Sequence, residues 1–230
     1  MLIKVVTFNI HHGTDINNQP SLNNIYLLLK QIQADIINLQ ELDMQRPQTS
    51  LKKQAAILAQ KLGMYYVYGP VRTYEKGSYG NAILSIYPIV SNENMDLGES
   101  NDRRYCLKAN INIKDYTISI FNTHLGLSQP KRYKQLKDII LPNIFNNNHP
   151  TILAGDFNAP TTRPEILMLS SILTDTFVKN SGILQHTFPS DHPQARIDYI
   201  FTNSHLTPVD YYIMDANVSD HLPVITMVEI

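Results

Sequence analysis

Two hydrophobic periods alternate along the chain. Leu2 to Ile10 is a β-favouring run with one amide near its end, Asn9, and it leads into His11-His12-Gly13. Such a run predicts a buried strand. From Ser21 to Gln33 the period lengthens to that of a helix. Leu22, Ile25, Leu28, Leu29 and Ile32 share one face, and Ser21 is placed to cap it. Asp35 to Leu39 predicts the next strand, ending in Gln40-Glu41. Ser50 to Leu62 carries Leu51, Ala55, Leu58, Ala59 and Leu62 on one side and stops at Gly63, so a second helix is predicted there. Met64 to Tyr68 reads as a strand, Tyr74 to Tyr79 as an exposed polar loop, and Gly80 to Ser85 as a strand with Asn81 at its start.

Tyr105 to Ile113 and Tyr116 to Asn122 flank the dipeptide Lys114-Asp115 and predict a hairpin, whose second strand runs into Thr123-His124-Leu125-Gly126. Pro130 to Phe145 is amphipathic, and Pro142 is expected to end or kink that helix. Thr151 to Gly155 is a short apolar strand, Arg163 to Leu169 a short helix and Gln185 to Ser190 a loop. Arg196 to Phe201 is a strand holding one acid, Asp198, and Ser219-Asp220-His221 precedes a final strand, Leu222 to Ile230. Strands and helices follow one another irregularly around a central hairpin. That order fits two packed sheets with helices outside, an α+β fold, better than a parallel βαβ array.

Composition narrows the function. The chain has 230 residues, 43% of them hydrophobic, enough for one large domain or two small ones. Lys and Arg number 19 against 20 Asp and Glu, a net charge of −1, so the overall field gives no support to a non-specific nucleic-acid binder. The single cysteine, Cys106, forms no intramolecular disulfide or cysteine zinc cage. It reads as a small apolar strand residue and fits a reducing, cytoplasmic setting. Met1 to Val6 is too short for a secretory leader, and no apolar stretch is long enough to span a membrane.

The candidate chemistry lies at strand ends. Asp156 and Asn158 follow the glycine that closes an apolar run, and in extended chain they share a face. There they would either cap the next helix or serve a hard cation or phosphate-bound water. Gly155 is expected to permit a sharp bend. The pattern repeats: Asn9, Glu41, His124, Asp198 and Asp220-His221 all sit in or beside apolar strands. Charged groups in such places need a partner or a metal. Strand ends converge along one rim, and the oxygen-rich members (Asn9, Glu41, Asp156, Asn158, Asp220) suit Mg²⁺ or Mn²⁺ better than zinc. His124 and His221 are then available for acid–base work. His11-His12 reads as a poor chelate, because neighbours on a strand point apart.

Thr7-Phe8-Asn9-Ile10, Leu39-Gln40-Glu41, Gly80 to Ser85, Asn122 to Gly126, Gly155-Asp156-Phe157-Asn158, Arg196 to Ile200 and Ser219 to Pro223 together resemble the motifs of the endonuclease/exonuclease/phosphatase superfamily, in the family's order. The resemblance implies a single domain over 1–230, a DNase I-like four-layer β-sandwich flanked by helices. It also implies metal-dependent hydrolysis of a phosphate ester by direct water attack. Glu41 is implied as the Mg²⁺ (or Mn²⁺) ligand, with Asn9 and Asp220 beside the metal. Asp156 would position or deprotonate the attacking water and Asn158 hold a phosphate oxygen, while His221 and His124 contact the phosphate from opposite sides, His221 stabilising charge or acting as acid or base and His124 open to serving as the acid for the leaving group. Asp198 would orient one of those histidines, and Asn81 and Arg104 match substrate-binding positions. The Thr-His-Leu-Gly form around His124 is similar to the branch of DNase I-like nucleases, deadenylases, sphingomyelinases and inositol-phosphate phosphatases. The expected substrate is a small or lipid-derived phosphate ester, the enzyme a monomer, and the alternative a DNase I-like nuclease or RNase with the same site. A binding protein that had lost catalysis would carry broken motifs, and the central acids, amides and histidines are all present.

Overall fold

The apolar runs of the central strands are covered on both faces. The computed structural model describes residues 1–98, 103–177 and 186–230; Gln185 of the expected loop lies outside them. In chain order the elements are β1 (Leu2–Asn9), α1 (Leu22–Ile32), β2 (Ile36–Met44), α2 (Gln54–Leu62), β3 (Tyr65–Thr73), β4 (Ser78–Ser85), β5 (Ile89–Asp96), β6 (Tyr105–Ile113) and β7 (Tyr116–His124). Then follow α3 (Gln129–Lys134), a π-helical stretch (Gln135–Ile140), α4 (Leu141–Phe145), β8 (Thr151–Asp156), α5 (Pro164–Ser170), β9 (Thr174–Asp175), β10 (Asp198–Thr202), β11 (Thr207–Ile213) and β12 (Val224–Glu229).

Two mixed six-stranded sheets result, ordered β11-β12-β1-β2-β4-β3 and β5-β6-β7-β8-β10-β9. Side chains alternate across each strand, and neighbouring residues divide between two cores. Val5, Ile36 and Ile152 meet between the sheets. Val6 and Ile37 face α1 and α2. Leu153 and Phe121 face the π-helical stretch, α4 and α5. This is the expected α+β sandwich in four layers, and it explains why the central strands read as continuous apolar runs. Among the described residues no helix is long and apolar enough to cross a membrane.

Several elements depart from the sequence expectation. β5 and β11 are edge strands with mostly exposed or half-buried side chains, so they lack a buried face that periodicity could reveal. Helix α2 begins at Gln54 rather than Ser50, because Ser50 and Leu51 hold left-handed backbone at φ 56° and 59°. Ser21 stands at the start of α1, yet its side chain makes no capping bond, and its backbone N–H donates to the Gly13 carbonyl at 2.8 Å instead. Pro142 does not end its helix, which runs on to Phe145. The chain widens into the π turn just before it, which accommodates the missing N–H and the bulk of the ring. Arg132, on α3, donates through Nε to Glu165 of α5 at 2.7 Å and through Nη1 to the Leu127 carbonyl at 2.6 Å, fixing the turn after His124.

Asn122 joins the sheets. From β7 its amide donates to the carbonyls of Leu39 and Ala82 in the opposite sheet, at 2.9 and 2.8 Å. Gln40 donates back to the Asn122 carbonyl oxygen at 2.7 Å. All of these groups are buried.

Gly155 serves close approach rather than a sharp bend. It continues β8 at φ 147°, and a Cβ there would stand 1.9 Å from the backbone oxygen of Thr123. Gly155→Ala is therefore expected to cost about 3 kcal/mol or more. The melting temperature should fall by roughly 6–12 °C for a chain of this size. A thermal melt within about 2 °C of wild type would refute the packing argument.

Candidate active site

Each sheet contains one parallel strand pair, β1–β2 in the first and β7–β8 in the second. Both pairs end at the same rim. Asn9 closes β1, and His124 and Asp156 close β7 and β8 as register partners. Asp198 opens β10 opposite Asp156, and Asp220 and His221 precede β12. Glu41 arrives by a different device. Register with β4 slips between Leu39 and Leu42, forming a bulge, and Glu41 sits in it at φ 61°. The strand does not stop at Glu41 as expected; it continues to Met44.

Asp156 is the hub. Its Oδ2 accepts a hydrogen bond from Asn9 Nδ2 at 3.1 Å and lies 3.5 Å from His124 Nε2 and 3.7 Å from His221 Nε2. Its Oδ1 accepts the Asn158 backbone N–H at 2.8 Å. Asn9 Nδ2 also donates to Glu41 Oε1 at 3.2 Å, while its Oδ1 accepts the His11 N–H at 3.1 Å. The Asn9 nitrogen thus faces the acids. His221 Nδ1 donates to Asp198 Oδ2 at 2.9 Å, which settles which histidine Asp198 touches. Asp220 lies 3.9 Å from His11 and is tied to the Asn9 backbone through Ser219. The Asn158 side chain donates to the Leu125 carbonyl at 2.9 Å.

Asn81 and Arg104 lie on the adjoining wall. Asn81 donates to the Tyr105 carbonyl at 3.4 Å, and its buried Oδ1 has no partner among the described residues. Arg104 is half-buried and lines a cavity of about 910 Å³ beside the rim.

Three residues of the cluster escaped the sequence reading. The chain leaves β1 through a 3₁₀ turn in which His11 and His12 both hold positive φ, so the strand rule does not apply to them. His12 Nε2 reaches 3.5 Å from Glu41, and its Nδ1 lies 3.1 Å from Asp43. Asp43 is buried and also accepts from Arg46, Gln48 and Thr49. Tyr79, placed in an exposed loop by sequence, belongs to β4; its hydroxyl lies 3.4 Å from His124 Nδ1 and its ring 5.1 Å from that of His12. A second acid two positions after Glu41 was the available signal for Asp43.

Electrostatics divide the two rim histidines. Burial opposes charge on both. At His221 the carboxylates of Asp198 and Asp156 and the Asp198 hydrogen bond outweigh it, and the pKa rises to about 10. At His124 burial is joined by Arg104 and His221, and the pKa falls well below the ordinary value. One ring is cationic near neutrality and the other neutral. Burial also raises Asp156 to about 7, against the pull of His221. Tyr79 is pushed up by burial and Glu41, so its hydroxyl keeps its proton.

Asp156, Asp198 and His221 present ligand atoms within 4.8 Å of one another. Within the trio only His221 and Asp198 share a hydrogen bond, at 2.9 Å, and His221 Nε2 stands 3.7 Å from Asp156 Oδ2, so an imidazole lies between two carboxylates. Glu41 and Asp220 remain as partly exposed oxygen donors, a hard set that fits a divalent cation.

The chain is 31% identical over 219 residues to the uncharacterized protein YbhP of Escherichia coli strain K12, covering 87% of this chain and 85% of that protein. In fold it is similar to an endonuclease/exonuclease/phosphatase from Bacteroides vulgatus, at TM-score 0.82 and 18% identity over 100% and 99% of the two chains. It is similar also to a mannosyl-6-phosphatase of Bacteroides thetaiotaomicron, at TM-score 0.79 and 20% identity over 99% and 100%. The sequence model of the Endonuclease/Exonuclease/phosphatase family matches residues 6–221, a span that holds every residue of the rim. The chain therefore belongs to the endonuclease/exonuclease/phosphatase family of phosphoester hydrolases.

Proposed function

We propose that residues 1–230 act as one domain that hydrolyses a phosphodiester or phosphomonoester by direct attack of water. The row Asp198–His221–Asp156, with its 2.9 and 3.7 Å contacts, carries this reading. Asp156 orients the water and takes its proton. His221, held cationic by Asp198, neutralises charge that develops on the phosphate. His124 offers a neutral N–H to a phosphate oxygen from the other side of Asp156. One Asn158 N–H goes to Leu125, which leaves the second for phosphate. Asn81 and Arg104 complete the cradle. Glu41 would hold Mg²⁺ or Mn²⁺ with Asp220 nearby, and Asn9 would orient Glu41 toward it. When bound, the cation would add positive charge at the phosphate and leaving oxygens.

A small or lipid-derived ester is the favoured substrate, and the mannosyl-6-phosphatase likeness makes sugar phosphates the first to offer. Bis-p-nitrophenyl phosphate should be hydrolysed with Mg²⁺ or Mn²⁺ and spared after chelation. No turnover with either ion would sink the proposal. Sphingomyelin, lysophospholipids and sugar phosphates should be tested beside plasmid DNA and RNA. Efficient plasmid nicking would put a nuclease in place of this substrate class.

A further inference from the structure

Apart from Arg104, the cavity beside the rim takes no part in the chemistry just described. Its volume, about 910 Å³, suits a small molecule. Among the described residues that line it, four are arginines (Arg46, Arg72, Arg103, Arg104) and none is Asp or Glu. Two of the guanidinium groups gather on a single ring: Arg46 lies 4.0 Å and Arg72 5.3 Å from the centroid of Tyr74. Arg46 has one hydrogen bond to Asp43, at 3.2 Å, and that carboxylate is already shared with His12, Gln48 and Thr49. Arg72 is exposed and has no carboxylate partner among the described residues. Like charges drawn together repel, and a ring face offsets only part of that cost. A bound anion would offset more, and the guanidinium fork matches phosphate oxygens.

The cavity and the reaction centre share a wall. His12 and Tyr79 line the cavity, and the same two side chains contact Glu41 and His124. A ligand could therefore place one phosphate at the rim and another among the arginines. A nucleic-acid strand would require a longer basic track than this local patch, and the net charge of −1 gives no sign of one.

We propose that Arg46 and Arg72, gathered at the Tyr74 ring, form a second phosphate subsite, so that the preferred substrate is a small ester with one phosphate beyond the one hydrolysed. This deepens the proposed function and rests on it. The test compares inhibition of bis-p-nitrophenyl phosphate hydrolysis by fructose 1,6-bisphosphate against fructose 6-phosphate, and by inositol 1,4-bisphosphate against inositol 1-phosphate. In at least one pair the bisphosphate should inhibit at about tenfold lower concentration or better. Arg72→Ala should reduce that preference below about threefold, Arg72→Lys should restore part of it, and both should keep kcat/KM for the diester within about twofold. Equal inhibition within both pairs, or a preference untouched by Arg72→Ala, would overturn the subsite. Calorimetric binding of the same bisphosphates to metal-free protein needs no turnover. A protein that binds them through Arg72 but hydrolyses nothing would refute the phosphoesterase reading and support the subsite. Arg72-dependent binding of a thymidine oligonucleotide, tighter than either bisphosphate, would overturn the small-molecule class.

Discussion

Asp156→Ala and His221→Ala are each expected to lower kcat/KM for a phosphodiester by about 10³-fold or more. Both side chains are buried at the rim, and their loss would remove the carboxylate proposed to orient the water or the imidazole 3.7 Å from it. The pH profile should report the same pair. The reactive form needs Asp156 ionised, so the rate rises with pH as that carboxyl, held up toward about 7 by burial, loses its proton. A bound cation would draw this limb lower. The reactive form also needs His221 protonated, so the rate falls as pH passes through about 10. Asp198→Asn removes the charge that holds this proton and should move the alkaline limb to lower pH, with a loss of about 10²-fold in kcat. A profile identical to wild type would exclude the Asp198–His221 coupling. Stability gives an independent check. Because the folded pKa of Asp156 is raised, its ionisation works against folding, and the penalty accumulates between 3.8 and about 7. Metal-free Asp156→Asn should then melt no lower than wild type at pH 8. A clear drop would reassign Asp156 to a structural role.

Glu41→Ala should be as damaging to activity, about 10³-fold, and should abolish the response to added Mg²⁺. The backbone supplies a control. Glu41 holds φ 61° in a β-bulge, a conformation that costs a side-chain-bearing residue about 1 kcal/mol. Glycine adopts it freely, so Glu41→Gly should melt about 2–4 °C above Glu41→Ala while being equally inactive. An active Glu41→Gly protein would show that the carboxylate is dispensable. Strain kept at a site where glycine would relieve it points to a demand on the side chain.

The central strands and the rim were legible because they combine a continuous apolar run with an out-of-place polar group at its end. Asn9, Glu41, His124, Asp156, Asp198 and His221 all carry that signature, and they meet. What escaped lacks it. β5 and β11 have mostly exposed or half-buried side chains, so no apolar period marks them. Tyr79 lies in a segment of turn-like composition, yet pairs in β4 because Gly80 lets the strands approach closely. His12 was discounted on strand geometry that the 3₁₀ turn does not have. Left-handed backbone at Glu41, Ser50 and Leu51 is set by tertiary contacts rather than by residue type, so no local pattern announces it.

Asn122 has a mechanical consequence. Asn9 and Glu41 hang from one sheet, His124, Asp156 and Asp198 from the other, and the Asn122–Gln40 link lies directly beneath them. The spacing of the reactive groups is therefore a gauge of how far one sheet has slid over the other. A slip of one hydrogen-bond length would separate Glu41 from Asp156 without breaking a single strand. The catalytic rim would then fail before the fold does, so turnover should be a more sensitive sensor of inter-sheet alignment than any spectrum of secondary structure.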